Sequence, residues 1–237
     1  MSADLTAFKR QAALAAVDLV RPGMRLGLGT GSTAWHAVDE ICRRYRAGEL
    51  SGVVGVPTSI SAWEQAQAGG LPLGALDAEL DLTIDGADEV CPNLDVVKGL
   101  GGAMLREKIV AFHSRLLVIV ADESKRVSRL GERSPLPLEV LDWNEAATAR
   151  AVSALGADAT WRERNGKRVI SDNGNLILDC VFNAPLDPRL LDAHLRAIPG
   201  VLGTGLFLGL ARVAFLAGPD GVSRLERPRE ASGIPLA

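Results

Sequence analysis

Several things that would mark a specialised class of protein are scarce in this chain. Only three cysteines occur in 237 residues, Cys42, Cys91 and Cys180, far apart and without a CxxC pair or a histidine partner. That spacing excludes a disulfide framework and a zinc finger, predicts reduced thiols in a cytosolic protein, and offers no metal site. Basic charge is not in excess either: 26 Lys and Arg stand against 29 Asp and Glu, a net charge of -3. No basic stripe is available to track a phosphate backbone, so nucleic acid is excluded as a partner. Long apolar runs are broken: VLGTGLFLGLARVAFLAG, from Val201, carries glycines and Arg212. Two short strands with a turn are expected there in place of a membrane span. The first residues, MSADLTAFKRQAALAAVDLV, include Asp4 and Asp18 and lack the basic-then-apolar order of a signal peptide. They predict an amphipathic helix and a cytoplasmic location.

What is present is a globular composition, 47% hydrophobic with 25 glycines, arranged in alternation. Helical spacing over 4–20 stops at Pro22-Gly23. MRLGLG then reads as a strand, 32–47 as a helix, VVGVP as a strand and SISAWEQAQA as a helix. LDLTID (strand), AMLREKIVAFH (helix) and RLLVIVA (strand) complete the series. Such alternation implies right-handed crossovers and a Rossmann-like parallel sheet with helices on both faces. From about Gly131 the texture changes: SPLPLEVL, a helix over 144–156, strands WRERNGKRVIS and NLILDCVF, and a helix near 187–197. The expected fold is α/β with a second, smaller α+β domain. Residues 1–130 plus 207–237 form the first domain; 131–206 form the second, with a role in oligomerisation.

In doubly wound sheets ligands sit beyond the carboxyl ends of the strands, and four strand ends carry unusual chemistry. GLGTGSTA, from Gly27, leads through glycines to Ser32 and Thr33 at a helix start, a place suited to a phosphate. It is neither a dinucleotide fingerprint, which needs glycine at 32, nor a Walker loop; an ordinary capped turn is the alternative. TIDGADEV gathers Asp85, Asp88 and Glu89 after an apolar strand, where a metal could neutralise the acids, although no histidine lies nearby, and sugar hydroxyls are an equally good match. A solvated acidic turn is the bland alternative.

The third, VVKGLGGAMLREKIV, joins Lys98 through glycines to a helix carrying Glu107. Helical spacing puts Leu105, Ile109 and Phe112 on one face and Glu107 opposite, beside Ala103, Val110 and Ala111. A carboxylate among such neighbours has its pKa raised toward that of a general base; a solvated Arg106-Glu107-Lys108 surface is the competing reading. The fourth, VIVADESK, ends in Asp122, Glu123 and Lys125. Only five lysines occur, Lys9, Lys98, Lys108, Lys125 and Lys167, leaving 21 of the 26 basic residues as arginine. Two of the five stand in strand-end motifs, where a compact ammonium is not interchangeable with a guanidinium. His36, His113 and His194 fall outside these motifs and read as helix residues.

GLGTGSTA, TIDGADEV, KGLGGAMLREKI and VADESK, in this order, resemble the type A ribose-5-phosphate isomerases, and PLPLEVL, SDNGNLILD and IPGVLGTGLF extend the likeness to nearly the whole chain. The resemblance implies interconversion of ribose 5-phosphate and ribulose 5-phosphate in the pentose phosphate pathway, through an enediolate, with no metal or cofactor. It implies Glu107 as general base, Asp85 and Asp88 as holders of the sugar hydroxyls, and Lys98 as stabiliser of the enediolate oxygen. Thr30, Gly31, Ser32 and Thr33 match the substrate loop, with Gly86, Ala87, Gly99, Leu100 and Gly101 beside the sugar. Lys125 and Lys9 match cations around the phosphate. The resemblance also implies a homo-oligomer, dimer or tetramer. One departure is Leu100, where members commonly have glycine.

Two other classes fit less well. A sugar-phosphate sensor would need an output domain for which no residues remain, and a nucleotide-dependent oxidoreductase is opposed by Ser32 and by a second strand that ends GVPTS without an acid.

Overall fold

The structure, a computed structural model, describes residues 5–183 and 187–227. The starts of the first expected helix and of the first domain, and the last ten residues of that domain, lie outside the described residues. In chain order the elements are α1 (Leu5–Val17), β1 (Arg25–Leu28), α2 (Ala34–Arg46), β2 (Val54–Pro57), α3 (Ile60–Ala68) and β3 (Leu82–Gly86). There follow β4 (Glu89–Val90), β5 (Val96–Val97), α4 (Met104–Phe112), β6 (Leu117–Asp122), a 3₁₀ turn (Glu123–Lys125), β7 (Leu136–Val140), α5 (Glu145–Ser153) and β8 (Ala157–Trp161). The rest are β9 (Glu163–Arg164), β10 (Lys167–Arg168), β11 (Leu176–Phe182), α6 (Pro188–Arg196), β12 (Val201–Thr204), β13 (Leu206–Phe207), β14 (Ala211–Gly218) and β15 (Gly221–Glu226).

Six strands form the main sheet in the order β15-β14-β6-β3-β1-β2. Five of them run parallel, and every residue of β6 is buried, as an apolar strand covered on both faces requires. The sixth departs from the expected parallel sheet: β15 folds back antiparallel on β14, because Gly218 and Gly221 close a hairpin too short for a crossover. Ala12, Ala13, Ala16 and Val17 of α1 and Ala37, Val38 and Ile41 of α2 pack on one face of the sheet. Met104 and Ala111 of α4 pack on the other, with Phe207 and Ile177.

The chain leaves β1 toward β2 and returns to place β3 on the opposite side of β1. The chain leaving β1 and the chain leaving β3 therefore run to opposite faces of the sheet at a switch point, and a crevice opens between their loops. A second, antiparallel sheet, β12-β7-β11-β8, carries α5 and α6, and a small sheet, β13-β5-β4, connects it to the strand-end loops.

Two expected elements are corrected. WRERNGKRVIS is not one strand: β8 ends at Trp161, and Asn165-Gly166 turns β9 back on β10. VLGTGLFLGLARVAFLAG is three strands, not two, and β12, β13 and β14 join three different sheets, separated at Gly205 and again around Gly209.

Candidate active site

The four strand-end motifs meet at the switch-point crevice, around an open-mouthed cavity of about 500 Å³. At one end are Lys9 from α1, Ser32 and Thr33 from the loop after β1, and Lys125 from the 3₁₀ turn after β6. Lys9 Nζ donates to Ser32 Oγ at 3.0 Å, so the first helix does reach the loop. The helix after that loop begins at Ala34 and not at Ser32; Thr33 precedes it in αR geometry and its side chain makes no capping bond. Thr30 and Gly31 continue the wall.

Gly86, Ala87, Asp88, Lys98, Gly99, Gly101 and Glu107 complete the lining. Asp85 lies just beneath, fully buried. Its Oδ1 accepts from the N-H groups of Thr30 (3.0 Å) and Gly86 (2.7 Å), tying the β1 loop to the end of β3. Gly29 permits this approach, since a β-carbon there would lie 2.4 Å from Asp85 Oδ1. Thr30 Oγ1 in turn reaches Thr58 Oγ1 and Ser59 Oγ, both at 2.7 Å, beyond the end of β2.

Lys98 is the centre of charge. Its ammonium, 2% exposed as a residue, donates to Gly86 O at 2.7 Å and to Glu107 Oε1 at 3.1 Å, and lies 3.1 Å from Asp85 Oδ2. The first two are hydrogen bonds; the third is an ion pair, and Asp85 Oδ2 is buried without a hydrogen-bond partner. Glu107 Oε2 is buried with no hydrogen-bond partner. Burial, then the charge of Asp85, raises the Glu107 pKa to about 8 against the pull of Lys98. Burial also raises the pKa of Asp85, although Lys98 opposes it. Lys98 stays protonated, because the surrounding carboxylates more than offset its desolvation.

The helix carrying Glu107 is turned opposite to its apolar content. Ile109 and Phe112 are exposed, while Glu107 is buried with Met104, Val110 and Ala111. The solvated Arg106-Glu107-Lys108 surface is therefore absent. Arg106 alone faces outward there, held by Asp172 O and Asn173 Oδ1 at 2.7 Å each.

Three sequence readings separate here. Asp88 does border the cavity, and its Oδ2 accepts from Leu100 N at 2.9 Å. Glu89, one residue on, points away: its carboxylate takes the N-H groups of Gly131, Arg133 and Ser134 and anchors that loop. Leu100 adds only backbone. Its side chain is exposed and absent from the lining, and its carbonyl, with that of Gly99, accepts from Arg162. Leucine is accommodated because the positive-φ positions of this loop fall on Gly99 and Gly102.

Thr58, Ser59 and Arg162 were missed by sequence reasoning. The end of β2, GVPTS, lacks an acid but carries hydroxyls, and the strand-end rule applied to those hydroxyls points to Thr58 and Ser59. His36, His113 and His194 take no part in the site; His113 follows α4 instead of lying within it. Among the described residues no group of three or more His, Cys, Asp and Glu is spaced to hold a metal, and Lys98 is the cation between the carboxylates. A second cavity of about 450 Å³, against Leu136, Cys180, Phe182 and Leu206, contains Arg129 but no carboxylate.

The sequence model described as ribose 5-phosphate isomerase A (phosphoriboisomerase A) matches residues 54–221. The chain belongs to the ribose 5-phosphate isomerase A family. It is thus an isomerase, of a family that interconverts ribose 5-phosphate and ribulose 5-phosphate. It is 47% identical to the ribose-5-phosphate isomerase A of Deinococcus radiodurans over 94% of this chain and all of that one. The Roseiflexus castenholzii relative is 50% identical over 93% of this chain and 96% of its own. Among solved structures, the ribose 5-phosphate isomerase of Plasmodium falciparum superposes with a TM-score of 0.91 at 36% identity, covering 94% of this chain and 99% of that one. A D-ribose-5-phosphate isomerase in complex with phospho-erythronic acid gives the same score and identity, covering 96% and 100%.

Proposed function

We propose that this chain converts ribose 5-phosphate to ribulose 5-phosphate by proton transfer through an enediolate, with Glu107 as the base. One observation carries the reading: a buried carboxylate with raised pKa shares an ammonium with a second carboxylate, in a cavity whose far end is cationic. The phosphate would bind Lys9, Ser32, Thr33 and Lys125, assisted by the helix dipole of α2. Thr30, Gly31, Gly86, Ala87, Gly99 and Gly101 would line the sugar, and Asp88 would accept its hydroxyls. Asp85 would hold the substrate loop and share the charge of Lys98. Leu100 would contribute its N-H to Asp88 and nothing from its side chain.

In the step itself Glu107 takes the proton from C2 of the open-chain aldehyde, and the electron pair of that bond forms the C1-C2 double bond as O1 becomes anionic. The proton on O2 passes to O1, and Glu107 returns its proton to C1, leaving the ketone at C2. Once Glu107 is protonated it is a weaker acceptor, and the N-H that Lys98 gave it turns to the enediolate oxygen. Positioned proton transfer is worth roughly 10² to 10⁴ in rate, and a preorganised donor at the developing charge about 10² to 10³ more. Phospho-erythronic acid, bound by the related structure, is an anion at both ends like the enediolate phosphate, which supports the same orientation here.

A coupled assay with ribose 5-phosphate in the presence of a chelator tests the reading. Turnover that persists with chelator and disappears in Glu107→Gln supports it; an active Glu107→Gln protein overturns it. We also infer a cytoplasmic homo-oligomer, dimer or tetramer, in which 131–206 acts as a distinct domain; the exposure of Trp143 and Leu190 in that segment supports self-association.

A further inference from the structure

Lys98 and Glu107 stand nine positions apart across a glycine loop, and glycines do not hold a distance. The structure supplies the missing connection on the far side of the pair. Lys108, next to Glu107 on α4, points its ammonium inward to Thr204, donating to the carbonyl O at 2.7 Å and to Oγ1 at 3.1 Å. Thr204 is fully buried at the end of β12, and its hydroxyl donates to Asp192 of α6 at 2.5 Å. The carbonyl of the next residue, Gly205, accepts from the backbone N-H of Lys98 at 2.9 Å. It must be glycine, since a β-carbon there would lie 2.3 Å from Lys98 O. β13 then pairs with β5, Leu206 opposite Val97, and brings the buried ring of Phe207 under both ammonium groups, 5.4 Å from Lys98 Nζ and 5.0 Å from Lys108 Nζ.

We propose that Lys108 is a positioning residue: by tying Thr204 to α4 it closes a circuit, Lys108–Thr204–Gly205–Lys98, that fixes the Lys98 ammonium against Glu107. The inference rests on the reading of Glu107 and Lys98 given above. The ammonium of Lys108 is desolvated, which lowers its pKa to about 8 although Asp192 opposes this and Arg196 adds to it. A cation held there against its desolvation is strained to remain unless its bonds are good, as the two to Thr204 are. A surface lysine would serve helix solubility equally well outside; this one is spent on an internal carbonyl, and arginine, which the chain otherwise prefers, would present a planar fork to a single-file pair of acceptors.

The test uses Lys108→Met, which keeps the apolar stem and loses the ammonium, with Asp192→Asn as a near-isosteric variant at a half-buried position that weakens the hold on the Thr204 hydroxyl. Steady-state constants for ribose 5-phosphate, the pH profile of kcat/KM and thermal unfolding are measured beside Glu107→Gln. Lys108→Met is expected to lower kcat about tenfold or more with KM within about twofold, because misplacement acts on the reacting groups and not on the phosphate. Its acid limb in kcat/KM is expected to move up by about half a pH unit, since Glu107 loses part of the attraction of Lys98. Asp192→Asn is expected to lower kcat by about two- to fivefold with KM unchanged. Wild-type kcat in Lys108→Met overturns the proposal, as does a loss shared equally by kcat and KM with an unmoved acid limb. If Lys108→Met does not fold, wild-type kcat in Asp192→Asn overturns it. An inactive Glu107→Gln beside a fully active Lys108→Met would remove this inference alone; an active Glu107→Gln would remove the catalytic reading beneath it.

Discussion

Replacing Glu107 by glutamine should stabilise the protein, and by an amount that depends on pH. In the fold the carboxyl titrates at about 8 instead of its ordinary 4.5, chiefly through burial and the nearby Asp85. A carboxyl whose pKa is raised on folding favours the folded state while it is protonated, and this contribution is lost as pH climbs from the unfolded value to the folded one. Below pH 4.5 wild type and Glu107→Gln should therefore differ little from this source. Each pH unit above it costs wild type about 1.4 kcal/mol relative to the variant, or about 4 kcal/mol between pH 5 and pH 8. For a chain of this size 1 kcal/mol moves Tm by about 2 to 4 °C, so the lead of the variant in Tm should widen by on the order of 10 °C over that range. Thermal unfolding of both proteins by circular dichroism at pH 5, 6, 7 and 8 measures it. A Tm difference that is constant with pH would refute the reasoning, because Glu107 would then titrate alike in the folded and unfolded chains. The same variant should lose roughly 10² to 10⁴ in kcat, so stability and activity move in opposite directions at one position.

The wild-type kcat/KM should rise with pH and level off above about pH 8, since Glu107 must be ionised in the free protein to take a proton; a plateau reached below pH 6 would contradict this. Lys125→Ala should raise KM for ribose 5-phosphate about 10- to 100-fold with a smaller effect on kcat, because a hydrogen bond to a charged group is worth about 1.5 to 3 kcal/mol; an unchanged KM would separate Lys125 from the phosphate. Leu100→Gly should leave both constants within about twofold, because only the backbone of Leu100 meets Asp88 and Arg162, while the added chain freedom lowers stability by about 0.5 to 1 kcal/mol. A large loss of activity in Leu100→Gly would mean that its side chain touches substrate.

The path of the main sheet was legible because its strands are short apolar runs separated by amphipathic helices. In a doubly wound sheet that alternation alone sends every strand's carboxyl end to one edge. The convergence of GLGTGSTA, TIDGADEV, the lysine-glycine loop and VADESK follows from topology, without knowledge of any contact. The orientation of α4 was not legible in the same way. Its most apolar residues, Ile109 and Phe112, face out, and an acid faces in, because the inner face meets β12 and Phe207 from a segment almost a hundred residues later. Asp88 and Glu89 show the same limit. Both are acids after β3, but pairing of β4 with β5 turns Glu89 toward the loop at 131–134 and leaves Asp88 at the cavity. The hairpin inside WRERNGKRVIS is the opposite case, since Asn165-Gly166 is a local turn signal that outweighs the flanking strand propensity.

The division of the cations explains why lysine scarcity was informative. Every ion pair found among the described residues uses arginine except the two made by Lys98, and most of those arginines lie at the surface, as Arg43, Arg115 and Arg224 do. A guanidinium spreads its charge over a plane and suits carboxylates met edge-on; an ammonium directs three N-H bonds to the corners of a tetrahedron. Gly86 O, Asp85 Oδ2 and Glu107 Oε1 converge on Lys98 Nζ from two elements, the end of β3 and α4. A compact cation can serve all three at the wall of a small cavity. Lys108 meets Thr204 in the same confined manner. With Lys9 and Lys125 at the cavity's cationic end, four of the five lysines lie in the cavity wall or beside it, and only Lys167, on the exposed hairpin, stands apart.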